Sequence, residues 1–402
     1  MIARTLLVLA AGGLVTSAIF LLLALFAAIR FVRRRAHTSP LFDEKLPGVT
    51  VLKPLHGMEP RLRENLESFF RQEYPEFQII FGARSDADPA LAIVRELMHE
   101  FPEVEASIVT SGPPPWPNAK LYSLEKMMRR ARHEYLVISD SDVEVGSDYL
   151  RNVVSPLLDP SVGCVTCIYR GLPVGGVWAL LEALAMSVDM SSGVLIADML
   201  EGMKFALGPT MATRREVLEQ IGGFAAMRDY CSDDYLLGNY VAAAGYRVLV
   251  PGEVIDHIVV NRSFAASFAH QVRWMRSTRF SRPKGHLGSG LTFAMPFGIL
   301  GLLASGLSHH WGLGIAMFAA AYLNRVIQAL AIGWGVVRDP RSLRYAWLYP
   351  LRDLTGFALW VASYASAEMI WRGERYRLQP GGKMVPINTP AESPVEEQVP
   401  TF

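Results

Sequence analysis

Asp140-Ser141-Asp142 sets two carboxylates two residues apart at the end of the apolar run YLVIS. Carboxylate oxygens are hard ligands, and Mg²⁺ or Mn²⁺ is typically held by one or two of them together with substrate phosphates. The spacing suits a nucleotide diphosphate gripped through such a cation, with Asp140 and Asp142 as metal ligands. Aspartates also end strands and start turns for structural reasons alone. A second acidic pair, Asp233-Asp234, precedes a helical stretch and can act as a helix cap with favourable dipole interactions. His270-Gln271-Val272-Arg273-Trp274 supplies a cation and an aromatic ring shortly before an apolar run. It can serve as a membrane-interface anchor or as the counter-charge to a leaving group.

The elements that must position these residues alternate in period. Runs beginning at Val49, Phe77, Ala106 and Tyr135 read as strands, and those beginning at Pro60, Asp88 and Leu121 read as helices. Such an α/β series predicts a mostly parallel sheet with flanking helices. Ligands of these sheets bind at the carboxyl ends of the strands, which is where Asp88, Asp140 and Asp142 fall. No G-x-G-x-x-G follows the first strand and no P-loop lysine motif occurs, so dinucleotide and NTPase readings lose their main support.

A hydrophobic fraction of 51% over 402 residues points to segments hidden in lipid, and a net charge of +1 gives no support to nucleic-acid binding. Thr5 to Ile29 is an uncharged run of 25 residues, enough to cross a bilayer, and Arg30, Arg33, Arg34 and Arg35 follow it. The positive-inside rule then predicts an outward N-terminus and a cytoplasmic catalytic domain. Leu287 to Leu307 and Leu313 to Val337 predict a membrane hairpin turning at Ser308-His309-His310-Trp311-Gly312. Leu354 to Trp371 has basic residues on both sides and contains Glu368, which predicts an interfacial or re-entrant helix, with a fourth span as the alternative. The Pro- and Glu-rich segment from Gln379 to Phe402 is predicted to be disordered. Cys164, Cys167 and Cys231 lack the second pair that a zinc site needs and are predicted to be small buried residues in a reducing compartment.

Taken in order, these residues resemble the inverting family 2-type glycosyltransferases, and most closely ceramide glucosyltransferases and bacterial hopanoid-glycosylating enzymes. The resemblance spans nearly the whole chain: Leu52-Lys53-Pro54-Leu55 with Gly57, Asp88-Pro89-Ala90, Asn118-x-Lys120, Asp140-Ser141-Asp142, Gly208-Pro209-Thr210-Met211 with Arg214, Gly222-Gly223-Phe224, Asp234-Tyr235 and Arg273-Trp274. It implies a GT-A-like domain over residues 45–284, an anchor over 1–35, a membrane region over 285–378 and a tail over 379–402. The implied roles are nucleotide contact for Asp88 and Asp140, a substrate-side contact for Lys120, and catalytic base for Asp234. Arg273-Trp274 match the end of the family's Q/R-x-x-R-W element, while His270 stands where Gln or Arg is usual.

The resemblance further implies a UDP-sugar donor carrying glucose or N-acetylglucosamine, a lipid hydroxyl acceptor, inversion, and location in a membrane, expected to be a bacterial inner membrane. A polyprenyl-phosphate transferase and a processive polysaccharide synthase are the competing enzyme readings, and a non-enzymatic membrane scaffold is the reading from another class. The short membrane part and His270 count against the synthase, and the ordered acidic and Arg-Trp elements count against the scaffold.

Overall fold

The computed structural model describes residues 1–37, 46–371 and 374–387. Strands β1 (Val49–Pro54), β2 (Phe77–Ala83), β3 (Glu105–Thr110) and β4 (Tyr135–Ile138) alternate with helices over Leu62–Phe70, Ala90–Glu100 and Ala119–Met128, the order expected from the periodicity. They are followed by β5 (Val143–Glu144), β6 (Val162–Val165), β7 (Ile168–Pro173), β8 (Met211–Arg214), β9 (Arg247–Leu249) and β10 (Val254–Val259). The main sheet runs β3-β2-β1-β4-β8-β6-β9, with β1, β2, β3 and β4 mutually parallel and β8 antiparallel to both of its neighbours. Its apolar strands are buried on both faces: all six residues of β1 are buried, Lys53 included. Cys164 and Cys167 are fully buried, as small hydrophobes would be.

The chain leaves β1 toward β2 and β3, then returns to place β4 on the other side of β1. That reversal makes a crevice at the carboxyl ends of β1 and β4, and Asp140-Ser141-Asp142 connects β4 to β5 there. A second sheet, β5-β10-β7, stands beside the crevice. The helix Asp233–Ala243 approaches the segment Phe205–Gly208 through Gly238, where a Cβ would lie 2.3 Å from the Ala206 nitrogen and the Phe205 carbonyl carbon. Gly238→Ala is therefore expected to push this helix and its two aspartates off the crevice, at a cost of about 1–3 kcal/mol. Thermal unfolding of the detergent-solubilised protein measures it, and an unchanged midpoint would show that the spacing can give.

Among the described residues three helices are long and apolar enough to cross a membrane: Ile2–Arg35, Val177–Leu200 and Trp311–Trp334. The second is 72% buried inside the protein. It belongs to the core, as one helical stretch packed against the N-terminal helix and against β7. The membrane region departs from expectation in three places. The first arm of the hairpin is a 13-residue helix, Met295–Leu307, after a separate short helix Pro283–Ser289. The stretch predicted as one helix from Leu354 to Trp371 is a helix over Tyr349–Ala362 followed by strand β11 (Glu368–Trp371). At 14 residues that helix reaches about 21 Å, short of a hydrocarbon core of about 30 Å. Its Asp353 is buried, pairs with the buried Arg325 at 3.2 Å and accepts hydrogen bonds from the Ala294 and Met295 N–H groups. Charges satisfied in this way hold it within the bundle.

The third departure concerns the segment from Gln379. Residues 379–387 are ordered: β11, β12 (Glu374–Gln379) and β13 (Lys383–Pro386) form an antiparallel sheet in which Glu368 pairs with Arg375 and Arg377. The remainder of the predicted tail, residues 388–402, lies outside the described residues. The free edge of β13 is taken by the loop before Asp233, with Met384 N–H donating to the Asp229 carbonyl and Cys231 N–H to that of Gly382.

Candidate active site

The crevice is built on acids that cannot all stay charged without help. The Lys120 ammonium sits 2.7 Å from Asp140 Oδ1 and 3.4 Å from Asp233 Oδ2. Burial disfavours its charge, but Asp140 and Asp233 more than compensate, so its pKa is raised above the ordinary lysine value. Asn118, two residues earlier, caps the helix Ala119–Met128 by accepting from Leu121 N–H and donates to the Tyr230 carbonyl and, at 3.4 Å, to Asp233. The Asn118-x-Lys120 element thus ties β4's end to the Asp233-Asp234 turn and neutralises its acids.

Asp234 Oδ2 accepts from Gly208 N–H at 3.0 Å and Oδ1 from Tyr235 N–H at 2.8 Å. A Cβ on Gly208 would stand 3.4 Å from both Asp234 Oδ2 and Asp140 Oδ2, so the two carboxylates face each other across this glycine. Burial, with Asp233 adding to it, pushes Asp234 up to about 6. A carboxyl group with that value is a proton acceptor matched to neutral conditions. Protonation below this value removes the acceptor. The rate of any reaction using Asp234 as base should accordingly fall as pH drops through about 6, with the plateau above it, and a kcat/KM profile over roughly pH 4.5–8 checks this.

Asp142 points toward β10, with Oδ2 3.5 Å from His257 Nε2, and its Oδ1 is buried with no hydrogen-bond partner. His257 stacks on Tyr169 at 5.2 Å. Lys53 is buried beneath the motif, donating to the Asp140 carbonyl at 2.5 Å and lying 3.7 Å over the Phe69 ring. Burial pulls Lys53 down to about 7 against the pull of Asp140, Asp142 and Glu59. Asp140, Asp142, Asp233 and Asp234 therefore exceed the cations available to them, and Asp142 Oδ1 and Asp233 Oδ2 have no hydrogen-bond partner. Hard oxygen donors with surplus negative charge fit a divalent cation. Among the described residues no group of three or more His, Cys, Asp or Glu side chains converges on a metal, so such an ion would take its other ligands from substrate phosphates and water.

Asp88 lies in the loop after β2, near the crevice end of the sheet. Its carboxylate accepts from Gly57 N–H at 3.0 and 3.1 Å and from Ala90 N–H at 3.0 Å, closing the loop after β1 onto the loop after β2. Gly57 adopts φ 67°, which explains the glycine in that loop. Arg273 and Trp274 lie on the helix Phe264–Ser281, whose Ser277 touches Ser232 and Cys231 just before the acidic pair. Among the described residues no carboxylate pairs with Arg273. Burial lowers its pKa, and the only neighbour acting against that is the Cys231 thiol. His270 is hydrogen-bonded through Nδ1 to Glu182 Oε1 at 2.8 Å.

Sequence reasoning missed His257, Lys53's burial beneath the motif, and Glu182. The usable signal was a polar residue inside an apolar run: Asp256-His257 within VIDHIVV and Glu182 within VWALLEALAM.

Residues 12–384 match glycosyl transferase family 21. The chain is 24% identical over 363 residues to ceramide glucosyltransferase 1 of Caenorhabditis elegans, covering 87% of this chain and 76% of that protein. It is 34% identical over 127 residues to the ceramide glucosyltransferase of Candida albicans, covering 29% and 23% respectively. The mannosyltransferase PcManGT from Pyrobaculum calidifontis, solved with GDP-Man and Mn²⁺, aligns over 87% of this chain and 99% of its own at 20% identity, with a TM-score of 0.48. With the family matched from the N-terminal helix to β13, this chain belongs to glycosyl transferase family 21 and is a hexosyltransferase similar to ceramide glucosyltransferases.

Proposed function

We propose that this enzyme transfers a hexose, glucose in the first instance, from a UDP-sugar to the hydroxyl of a membrane lipid with inversion at the anomeric carbon. The observation that carries this reading is the half-buried Asp234 carboxylate, facing Asp140 across Gly208 and raised to about 6. In a single displacement the lipid hydroxyl attacks the anomeric carbon as its proton passes to Asp234, and the bond to the UDP oxygen breaks on the opposite face. A divalent cation held by Asp140 and Asp142, when bound, would neutralise charge developing on the diphosphate. Arg273 supplies a fixed positive charge to the same leaving group. Asp88 shapes the loop beside the nucleotide, and Lys120 keeps the acids together.

The lipid acceptor is supported by the helices Ile2–Arg35 and Trp311–Trp334, long and apolar enough to cross a membrane, and by the relatives' being ceramide glucosyltransferases. The arginines after the first span support a catalytic domain on the cytoplasmic side. Full-length enzyme in nanodiscs, offered UDP-glucose and UDP-N-acetylglucosamine against a ceramide, a hopanoid and a polyprenyl phosphate, tests the reading by mass spectrometry of products. Glucosylation of a hydroxyl lipid is expected, and transfer to the polyprenyl phosphate alone would overturn it. Asp142→Ala should weaken Mn²⁺-dependent UDP binding about tenfold or more while leaving the fold intact, as measured by calorimetric titration with and without chelator.

A further inference from the structure

His270 occupies a position where a side chain must be held from behind. Its Nδ1 lies 2.8 Å from Oε1 of Glu182, which is 1% exposed. The other carboxylate oxygen, Oε2, accepts from Ser267 Oγ at 2.6 Å and from Asn261 Nδ2 at 2.8 Å. A carboxylate only accepts hydrogen bonds, so the imidazole must carry hydrogen on Nδ1, and Nε2 is left as the free nitrogen. Among the described residues Nε2 has no protein partner, and the His270 side chain is 32% exposed. The ring rests against Trp274 with centroids 4.3 Å apart.

The helix Phe264–Ser281 gives that free nitrogen a direction. His270, Arg273, Trp274 and Ser277 share one face by their spacing of three and four, and Ser277 touches the loop before Asp233. The other side of the helix carries Phe264 and Phe268, which pack with Trp178 at 5.0 Å and 5.4 Å between successive centroids. His270 therefore lies on the side of the helix that meets the loop before Asp233. Glu182 comes from the long apolar helix Val177–Leu200, where an isolated buried acid has no packing value of its own.

We propose that Glu182 is a positioning residue: it holds His270 with Nδ1–H engaged, so that Nε2 meets the polar end of the lipid acceptor. This rests on the proposed transfer to a lipid hydroxyl. Glutamine at 182 cannot reproduce the arrangement, because one of its two terminal atoms becomes a donor and opposes either His270 or the Ser267–Asn261 pair.

The test is a double-mutant cycle on the full-length enzyme in nanodiscs, reading KM for ceramide and for UDP-glucose separately. Glu182→Gln should raise the acceptor KM about tenfold and leave the UDP-glucose KM unchanged. In a His270→Gln background the same change should add less than about twofold, since the group it positions is gone. Equal losses in both backgrounds, or a loss falling on UDP-glucose, would overturn the assignment and leave Glu182 as a packing residue. A matched unfolding midpoint for the single variants keeps a folding defect from imitating the result. Wild-type enzyme that glucosylates no lipid would defeat the functional reading instead, which separates the two failures.

Discussion

Asp234→Asn should lower sugar transfer by about 10²- to 10⁴-fold while UDP binding in the presence of Mn²⁺ stays within about twofold. The substitution keeps shape and one of the two backbone hydrogen bonds, since the amide oxygen can accept from Gly208 or Tyr235 N–H but the NH₂ cannot. What it removes is the proton acceptor. The fold should gain from the change. A carboxyl group raised to about 6 by burial binds its proton more tightly folded than unfolded, so its ionised form costs stability at neutral pH, a cost relieved as pH falls through about 6. The neutral amide carries no such cost, and the unfolding midpoint of the variant at about pH 7.5 should be higher than wild type, with the gap closing toward about pH 5. Undiminished transfer would remove Asp234 as base. A lost fold together with lost transfer would show that the carboxylate is structural.

Much of this was legible in the sequence, and the reason lies in how local the signals are. The β/α alternation from Val49 to Tyr135 survives because the inner strands β1, β2 and β4 are buried on both faces and read as continuous apolar runs. The strand-end rule then located Asp140 and Asp142 without knowledge of strand order. The membrane region was less legible because its charges are paired over long sequence distances. Arg325 and Asp353 neutralise each other inside the bundle, so a hydropathy reading that penalises each charge separately misjudges where helices begin and end. Glu368 looked like a charge inside a helix. It instead accepts from Arg375 and Arg377 across a hairpin. Partners of Glu182 and Asp142 were equally hidden, since His270 and His257 reach them only once two helices or two sheets are docked.

Asp88 falls after a strand end, as its position in the sequence suggests, and its oxygens accept from Gly57 and Ala90. Asp88→Ala would therefore release the Gly57 loop.

Arg273→Met should cost about 10²- to 10³-fold in kcat and at the same time raise the unfolding midpoint. The two effects have one cause. A guanidinium pushed below its ordinary pKa by burial, with no carboxylate partner among the described residues, is held at the expense of folding free energy. Such a charge persists where function requires it, and here the compensating anion is the diphosphate that arrives with substrate. Methionine fills similar volume without charge, so packing is largely kept and the desolvation penalty disappears. Bound UDP should reverse the order of stability: the wild-type midpoint should rise with nucleotide by more than the variant's, because only the wild type gains a counter-ion. Arg273→Lys would restore charge without the planar fork and should recover stability behaviour better than rate. If Arg273→Met were destabilised without ligand and lost nothing in kcat, the arginine would be an interfacial anchor whose stem packs against the core, and the electrostatic role on the leaving group would pass to the metal ligands alone.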